Sequence, residues 1–213
     1  MNCCEINSSF YRSHRPETYQ RWAMQTPEDF RFSVKLPRSI THDARLRRAR
    51  APLRGFLDAA TALGERLGTL LVQLPPSLAF EARPMRRFFD LLAQSYKGVV
   101  VVEPRHASWF TAAADRMLIA ARVSRAAADP ALSPVARQPG GWLGPDGDGR
   151  GALLYYRWHG SPCRYWSAYG EDWLLAQARE IRSRWHADAN VWCIFDNTAA
   201  GCALVNARQF MAL

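Results

Sequence analysis

Four consecutive valines, Val99 to Val102, follow Gly98 and run straight into Glu103-Pro104-Arg105-His106. A run of β-branched side chains has no polar face to turn to water, so it reads as a strand covered on both sides, the setting of a parallel sheet. Parallel neighbours need crossover connections, and these are usually helices. The flanking sequence supplies them. Pro84 to Tyr96 carries Met85, Phe88, Phe89 and Leu92 at helical spacing, and Thr111 to Ala121 reads as a helix with Thr111 as N-cap.

The same alternation extends in both directions. Upstream, Cys3 to Phe10 reads as a strand and Pro16 to Thr26 as a helix with proline in its first turn. Phe30 to Lys35 alternates Phe30, Phe32 and Val34 with Arg31, Ser33 and Lys35, a period-2 strand closed by Pro37. Pro52 to Leu67 is a helix ended by Gly68, and Thr69 to Leu74 is a buried strand stopped by Pro75-Pro76. Downstream, Val123 to Asp129 is a weaker strand, Ala152 to Trp158 a strand, Glu171 to His186 a helix and Val191 to Phe195 the last strand. Asn206 to Leu213 closes the chain as a helix. Arg137 to Gly151 is a Gly-rich loop inside the same domain, because the alternation resumes after it. About seven parallel strands at about 30 residues per unit predict an α/β fold, a TIM-type (β/α) barrel forming one domain over 1–213.

Composition narrows the class. Apolar residues are 48% and charged residues 22% of the 213, the balance of a globular chain. No run approaches the roughly 20 apolar residues of a membrane helix. The start, Met1-Asn2-Cys3-Cys4-Glu5, lacks a signal-peptide profile, so a cytoplasmic protein away from membranes is expected. Five cysteines, at 3, 4, 163, 193 and 202, form no C-x-x-C pair, which argues against a disulfide framework and a zinc ribbon. The net charge is +9, with Lys35 and Lys97 the only lysines among 28 basic residues. Ala44 to Arg54 alone holds Arg45, Arg47, Arg48, Arg50 and Arg54, a solvated face or a phosphate-tracking patch.

Ionisable residues gather at the C-terminal ends of the expected strands. Glu5 and Asn7 lie in the first, Lys35 ends the second and Gln73 the third. Glu103, Arg105 and His106 follow the fourth, Asp129 the fifth, Arg157 and His159 end the sixth, and Asp196 and Asn197 the seventh. Period 2 puts Glu5 with Asn7, Glu103 with Arg105, and Arg157 with His159 on common faces. In parallel β/α folds those ends are where active sites are built.

These residues resemble the DUF72 (YecE-like) family. The resemblance is carried by Glu5-Ile6-Asn7-Ser8-Ser9-Phe10-Tyr11, Phe32-Ser33-Val34-Lys35, Thr41-His42 and Gln73-Leu74-Pro75-Pro76. It continues through Glu103-Pro104-Arg105-His106-Ala107-Ser108-Trp109-Phe110, Arg157-Trp158-His159-Gly160, Phe195-Asp196-Asn197, Gly201 and Asn206-Ala207. It implies a TIM-type barrel and supplies no reaction. Two departures accompany it. The family's first strand and helix have no counterpart here, so an incomplete barrel with exposed strand edges, open to self-association, is expected. Asp196 stands where the family more often has Asn, an acceptor-only carboxylate in place of an amide.

The reading that follows is an enzyme acting on a small anionic substrate, phosphorylated or carboxylated, by acid/base chemistry. Glu5, Lys35, Glu103, His106 and His159 are the candidate catalytic residues. Asn7, Tyr11, Gln73, Arg105, Arg157 and Asn197 are assigned to substrate binding, with the two arginines as anion clamps. His42 is a weaker candidate, and Trp109 reads as a loop anchor. No spacing diagnostic of a metal site is present, and no cofactor is named. The alternatives are a nucleic-acid or polyanion-binding protein using the basic surface, and a truncated, inactive barrel.

Overall fold

A computed structural model describes residues 1–213, and the chain divides into two compact units, Asn2–Val123 and Ser124–Leu213. No helix is long and apolar enough to cross a membrane.

In the first unit the strands are β1 (Cys3–Ile6), β2 (Arg31–Lys35), β3 (Leu67–Gln73) and β4 (Val99–Glu103). Each is parallel to the next in sequence. The crossovers carry α1 (Ser8–Tyr11) and α2 (Pro16–Met24), then α3 (Arg50–Ala60), then α4 (Ala82–Ser95), and α5 (Ala112–Ala120) follows β4. The register aligns Glu5 with Ser33, Lys35 with Leu71, and Gln73 with Glu103. Because side chains alternate, the sheet sorts itself into two faces. Ile6, Phe32, Val34, Leu36, Leu70, Val72, Leu74, Val100 and Val102 point to the helices and join one core with Leu53, Phe88 and Leu118. Glu5, Ser33, Lys35, Gln73 and Glu103 take the opposite face.

Helix α4 shows how the sequence drives this packing. Met85, Phe88, Phe89 and Leu92 recur at i, i+3, i+4 and i+7, and all four are buried. Burying each contributes about 1.5–3 kcal/mol. Thr111 caps α5 as expected, its hydroxyl accepting from Ala114 N–H at 3.4 Å.

In the second unit β6 (Ala127–Asp129), β8 (Leu153–Trp158) and β9 (Asn190–Phe195) form a parallel sheet in that order. Two residues at β5 (Ser124–Arg125) pair antiparallel with β7 (Gly140–Gly141). Helices α6 (Glu171–Arg184) and α7 (Cys202–Met211) complete it. Trp158 packs edge-on against Trp173, Phe195 and Phe210, with centroids 4.9–5.1 Å away.

The α/β class and the parallel pairing agree with the sequence reading. Neither unit's sheet closes on itself, so a closed barrel is not seen in either. Boundaries moved where local chemistry competed with pattern. The expected strand Cys3 to Phe10 stops at Ile6, where the chain enters the helical turn of α1 and Ser9 Oγ turns back to donate to Lys35 O at 2.7 Å, with Ile6 O 3.0 Å away. The expected strand Val123 to Asp129 is interrupted between Arg125 and Ala127, and the closing helix starts at Cys202, behind the left-handed Gly201.

Candidate functional site

The strand ends of the first unit bring charge together out of water. Lys35 and Gln73 are 7% exposed and Glu103 1%. Because Gln73 and Glu103 are partners in the β3–β4 register, their side chains meet: Gln73 Nε2 donates to Glu103 Oε2 at 2.8 Å. Two residues on, Arg105 returns along the same face and donates to Glu103 Oε1 from Nε (3.3 Å) and Nη2 (3.2 Å). Glu103 therefore fixes the plane of a guanidinium whose side chain is only 18% exposed. A guanidinium held this way keeps a fixed plane, the geometry that planar oxyanions match.

Lys35 lies with Nζ 4.2 Å from the centroid of the Phe10 ring, a cation–π contact. The Phe10 ring also meets His42 edge-on, with centroids 4.9 Å apart. Thr41 Oγ1 lies 3.3 Å from Pro37 O and 2.9 Å from His42 Nδ1, so the ring is held by its Nδ1 edge. His42 titrates below the ordinary histidine value, first because burial disfavours the imidazolium and then because Lys35, Arg38 and Arg105 repel it. Near neutral pH it is a neutral base beside fixed cations.

The other candidates of this unit are placed differently. Glu5 is half-buried on the polar face, and Asn7 is half-buried at the start of α1. Tyr11 is 76% exposed, its ring edge-on to Phe10. His106 caps the turn Ala107–Trp109: its Nδ1 accepts from Ser108 N–H at 3.2 Å and lies 2.8 Å from Ser108 Oγ. Trp109 is fully buried and donates from Nε1 to Leu78 O at 3.0 Å, the anchoring role read from the sequence.

The second unit holds its own cluster. Trp158 and Phe195 are register partners, so the next residues, His159 and Asp196, emerge side by side. Asp196 Oδ2 lies 3.0 Å from His159 Nδ1 and accepts from Arg157 Nη2 at 3.0 Å. Arg157 is fully buried and His159 1% exposed, whereas the Asp196 side chain keeps 14%. A carboxylate only accepts, so Nδ1 carries the proton and Nε2 is the basic atom. Gly160 follows at φ +90°, where a Cβ would lie 2.8 Å from Ser167 O. Asn197 donates to Ser167 O and Asn206 Oδ1, both at 3.0 Å, so it braces the loop. Asp129 accepts from Tyr169 OH at 2.7 Å.

Sequence reasoning underrated two residues. His42 sits on an irregular turn with no periodicity to announce its direction. Asp196 shows in the sequence only as a departure from the family pattern, and the β8–β9 register is what sets it against His159. No three His, Cys, Asp or Glu side chains converge as a metal site.

The family model described as "Protein of unknown function DUF72" matches residues 1–213. The "UPF0759 protein YecE" of Escherichia coli strain K12 is 36% identical over 110 residues, which is 51% of this chain and 40% of that protein's length. The match thus spans less than half of that relative. The crystal structure of a DUF72 family protein from Thermotoga maritima MSB8 superposes with a TM-score of 0.77 at 25% identity, covering 99% of this chain and 84% of that one. A DUF72 family protein from Enterococcus faecalis V583 gives a TM-score of 0.79 at 19% identity, with 100% and 89% covered.

Proposed function

Taking as premise that the chain belongs to the DUF72 family, we propose that it is an enzyme acting by acid/base chemistry on a small anionic substrate, phosphorylated or carboxylated. The observation that carries this reading is the single polar face of β1–β4, where Lys35, Gln73 and Glu103 are buried and Glu103, held by Gln73, pins the Arg105 guanidinium. Burying several charges at the ends of otherwise apolar strands costs stability, and a site that binds and turns over a ligand accounts for keeping them.

The roles follow from the contacts. Arg105, oriented by Glu103, is the cation that attracts the anionic group. Lys35 supplies a compact second cation close to Phe10. Gln73 keeps Glu103 in place. His42, neutral near pH 7, takes a proton from the substrate, and Glu5 is the second carboxylate available for transfer. A lytic or isomerising step on a sugar-like or phosphorylated substrate suits a base flanked by cations, because charge developing on an oxygen is balanced as it forms. The second unit supports the same chemistry on its own evidence of geometry: an imidazole oriented by Asp196, next to buried Arg157. The sequential order of parallel neighbours within each unit supports the TIM-type (β/α) reading, which we hold as part of the proposal.

The test is a thermal-shift screen against inorganic phosphate, pyrophosphate, sugar phosphates and small carboxylates. A ligand at about 100 times its Kd adds about 2.7 kcal/mol, on the order of 5–10 °C for a chain of this size. A shift that disappears in Arg105→Ala supports the reading. A shift that Arg105→Ala leaves intact, or none from any small anion, overturns it.

A further inference from the structure

We propose that the helical flank of residues 2–123 carries a track for the phosphodiester backbone of nucleic acid, running over α3, α4 and α5. Two grooves define it. One, of about 370 Å³, lies between the start of α3 and α4 and is lined by Arg47, Arg48, Arg50 and Arg87 over an apolar floor that includes Leu46 and Phe88. The other, of about 540 Å³, lies between α4 and α5 and is lined by Arg83, Arg86, Arg87 and Arg116. Arg87 belongs to both, so the grooves form one cationic path of seven arginines, and no acidic side chain lines either.

The charge is largely uncompensated. Arg47 pairs with Glu81 at 3.2 Å and Arg86 with Asp90 at 3.0 Å, both pairs exposed. Arg48, Arg50, Arg83, Arg87 and Arg116 are exposed and make no ion pair. Helix α3 adds to the field, since its first turn holds no acidic residue and no side chain caps it. Like charges crowded on one flank repel one another, and a chain of phosphates relieves that repulsion while matching the guanidinium fork.

The backbone fixes part of the path. Arg45, Leu46 and Arg48 all have positive φ, at 50°, 63° and 51°. Each such residue costs about 1–2 kcal/mol, so the turn must be held by its surroundings. Arg45 donates to Ser77 Oγ (3.0 Å) and Ser77 O (2.9 Å), Leu46 N–H donates to Ile40 O (2.9 Å), and the Leu46 side chain is buried. The Arg-rich run of the sequence is thereby sorted: Arg45 is a brace, Arg47, Arg48 and Arg50 line the groove, and Arg54 lines neither groove.

The chemistry also sets the mode of recognition. No exposed aromatic ring lines either groove, so there is no stacking platform for bases, and contacts fall on phosphates irrespective of sequence. Packed helices lie about 8–10 Å apart, so three of them span about 16–20 Å, on the order of five nucleotides of one strand at about 3.4 Å each. This track is independent of the small-anion reading above, and its residues are not those of the polar strand-end face.

The experiment is fluorescence anisotropy with a short labelled single strand and with the same sequence as a duplex, titrated across salt. About five phosphate contacts predict an affinity that falls about 10²–10³-fold between about 50 and 200 mM salt. The triple variant Arg48→Ala/Arg50→Ala/Arg87→Ala should make the slope of log Kd against log salt shallower by about 2–3, at the same Tm. The control Arg179→Ala/Arg182→Ala/Arg208→Ala, equal in charge and placed in the other unit, should leave the slope unchanged. Whichever of single strand and duplex binds more tightly identifies the form of nucleic acid read. The proposal is overturned by salt-independent binding, by wild-type slope in the groove variant, or by an equal effect of the control. Competition by pyrophosphate at equimolar phosphate, or binding to anionic vesicles in place of both oligonucleotides, also overturns it.

Discussion

Replacing Glu103 with Gln probes how the strand-end charges are held. The carboxylate accepts at both oxygens, from Gln73 Nε2 at 2.8 Å and from Arg105 at 3.2 and 3.3 Å. A glutamine has one acceptor oxygen and one donor group, so one contact becomes donor against donor. Arg105 has no acceptor to offer, whereas Gln73 can turn its amide over. The variant therefore keeps its oxygen on Arg105 and lets Gln73 accept. What is lost is the charge in the arginine contact. Hydrogen bonds to charged groups contribute about 1.5–3 kcal/mol and neutral ones about 0.5–1.5, so the cost is about 1–2 kcal/mol. That is a fall in Tm of about 2–8 °C. Glu103→Leu can accept from neither neighbour and should cost about 3–5 kcal/mol. Urea unfolding of both variants, with Gln73→Leu and the double Gln73→Leu/Glu103→Leu completing a cycle, should give a coupling of about 1 kcal/mol between the two positions. If Gln proves as damaging as Leu, or if both stay within about 0.5 kcal/mol of the parent, Glu103 is not engaged as its contacts indicate.

The remaining predictions concern other parts of the molecule. His42 titrates below 6.5 in the folded chain, so the unfolded chain takes up its proton first as pH falls. Stability should drop as pH falls below about 6.5 and level off below the folded value, and NMR of the ring should show its midpoint rising in Lys35→Met. A midpoint at or above 6.5, or one indifferent to Lys35, contradicts the cationic surroundings. Asp196→Asn keeps an acceptor but drops the charge shared by Arg157 and His159. It should cost about 1–2 kcal/mol in denaturant unfolding, against about 3–5 for Asp196→Ala, and two near-neutral variants would dismiss the triad as incidental. Gly160→Ala combines φ +90° with a Cβ 2.8 Å from Ser167 O. A loss of about 1–3 kcal/mol is expected, and an unchanged melt would show that the loop yields.

How much of this the sequence disclosed depends on which physical signal each part carries. Period 2 is rigid, so Lys35, Gln73 and Glu103 could be put on one face by counting, and the register confirms that they share it. The amphipathic helix containing Phe88 and Phe89 announced itself in the same way. By contrast, His42 is aimed by an irregular turn, Ser39–Asp43, that no repeat describes. Its nearness to Phe10 comes from packing rather than from spacing. Tyr11, grouped with the binding residues, stands 76% exposed because the strand gives way to a helical turn at Ser8 and reverses the alternation. The fragments β5 to β7 are illegible for another reason: half of Ser124 to Asp129 is alanine, and small side chains carry little pattern.

The contacts around Trp109 also determine how the molecule comes apart. Leu74 N–H donates to Glu103 O at 2.9 Å, Phe80 N–H to Ser108 Oγ at 2.8 Å, and the Trp109 indole to Leu78 O at 3.0 Å. The segments after β3 and β4 are sewn to each other at three points along their length. Neither can open without releasing the other, so they should exchange their amide hydrogens as one cooperative unit with a common free energy of opening. Arg105 rides on that unit. Its guanidinium is therefore expected to share that unit's free energy of opening and not to move as part of an independent loop.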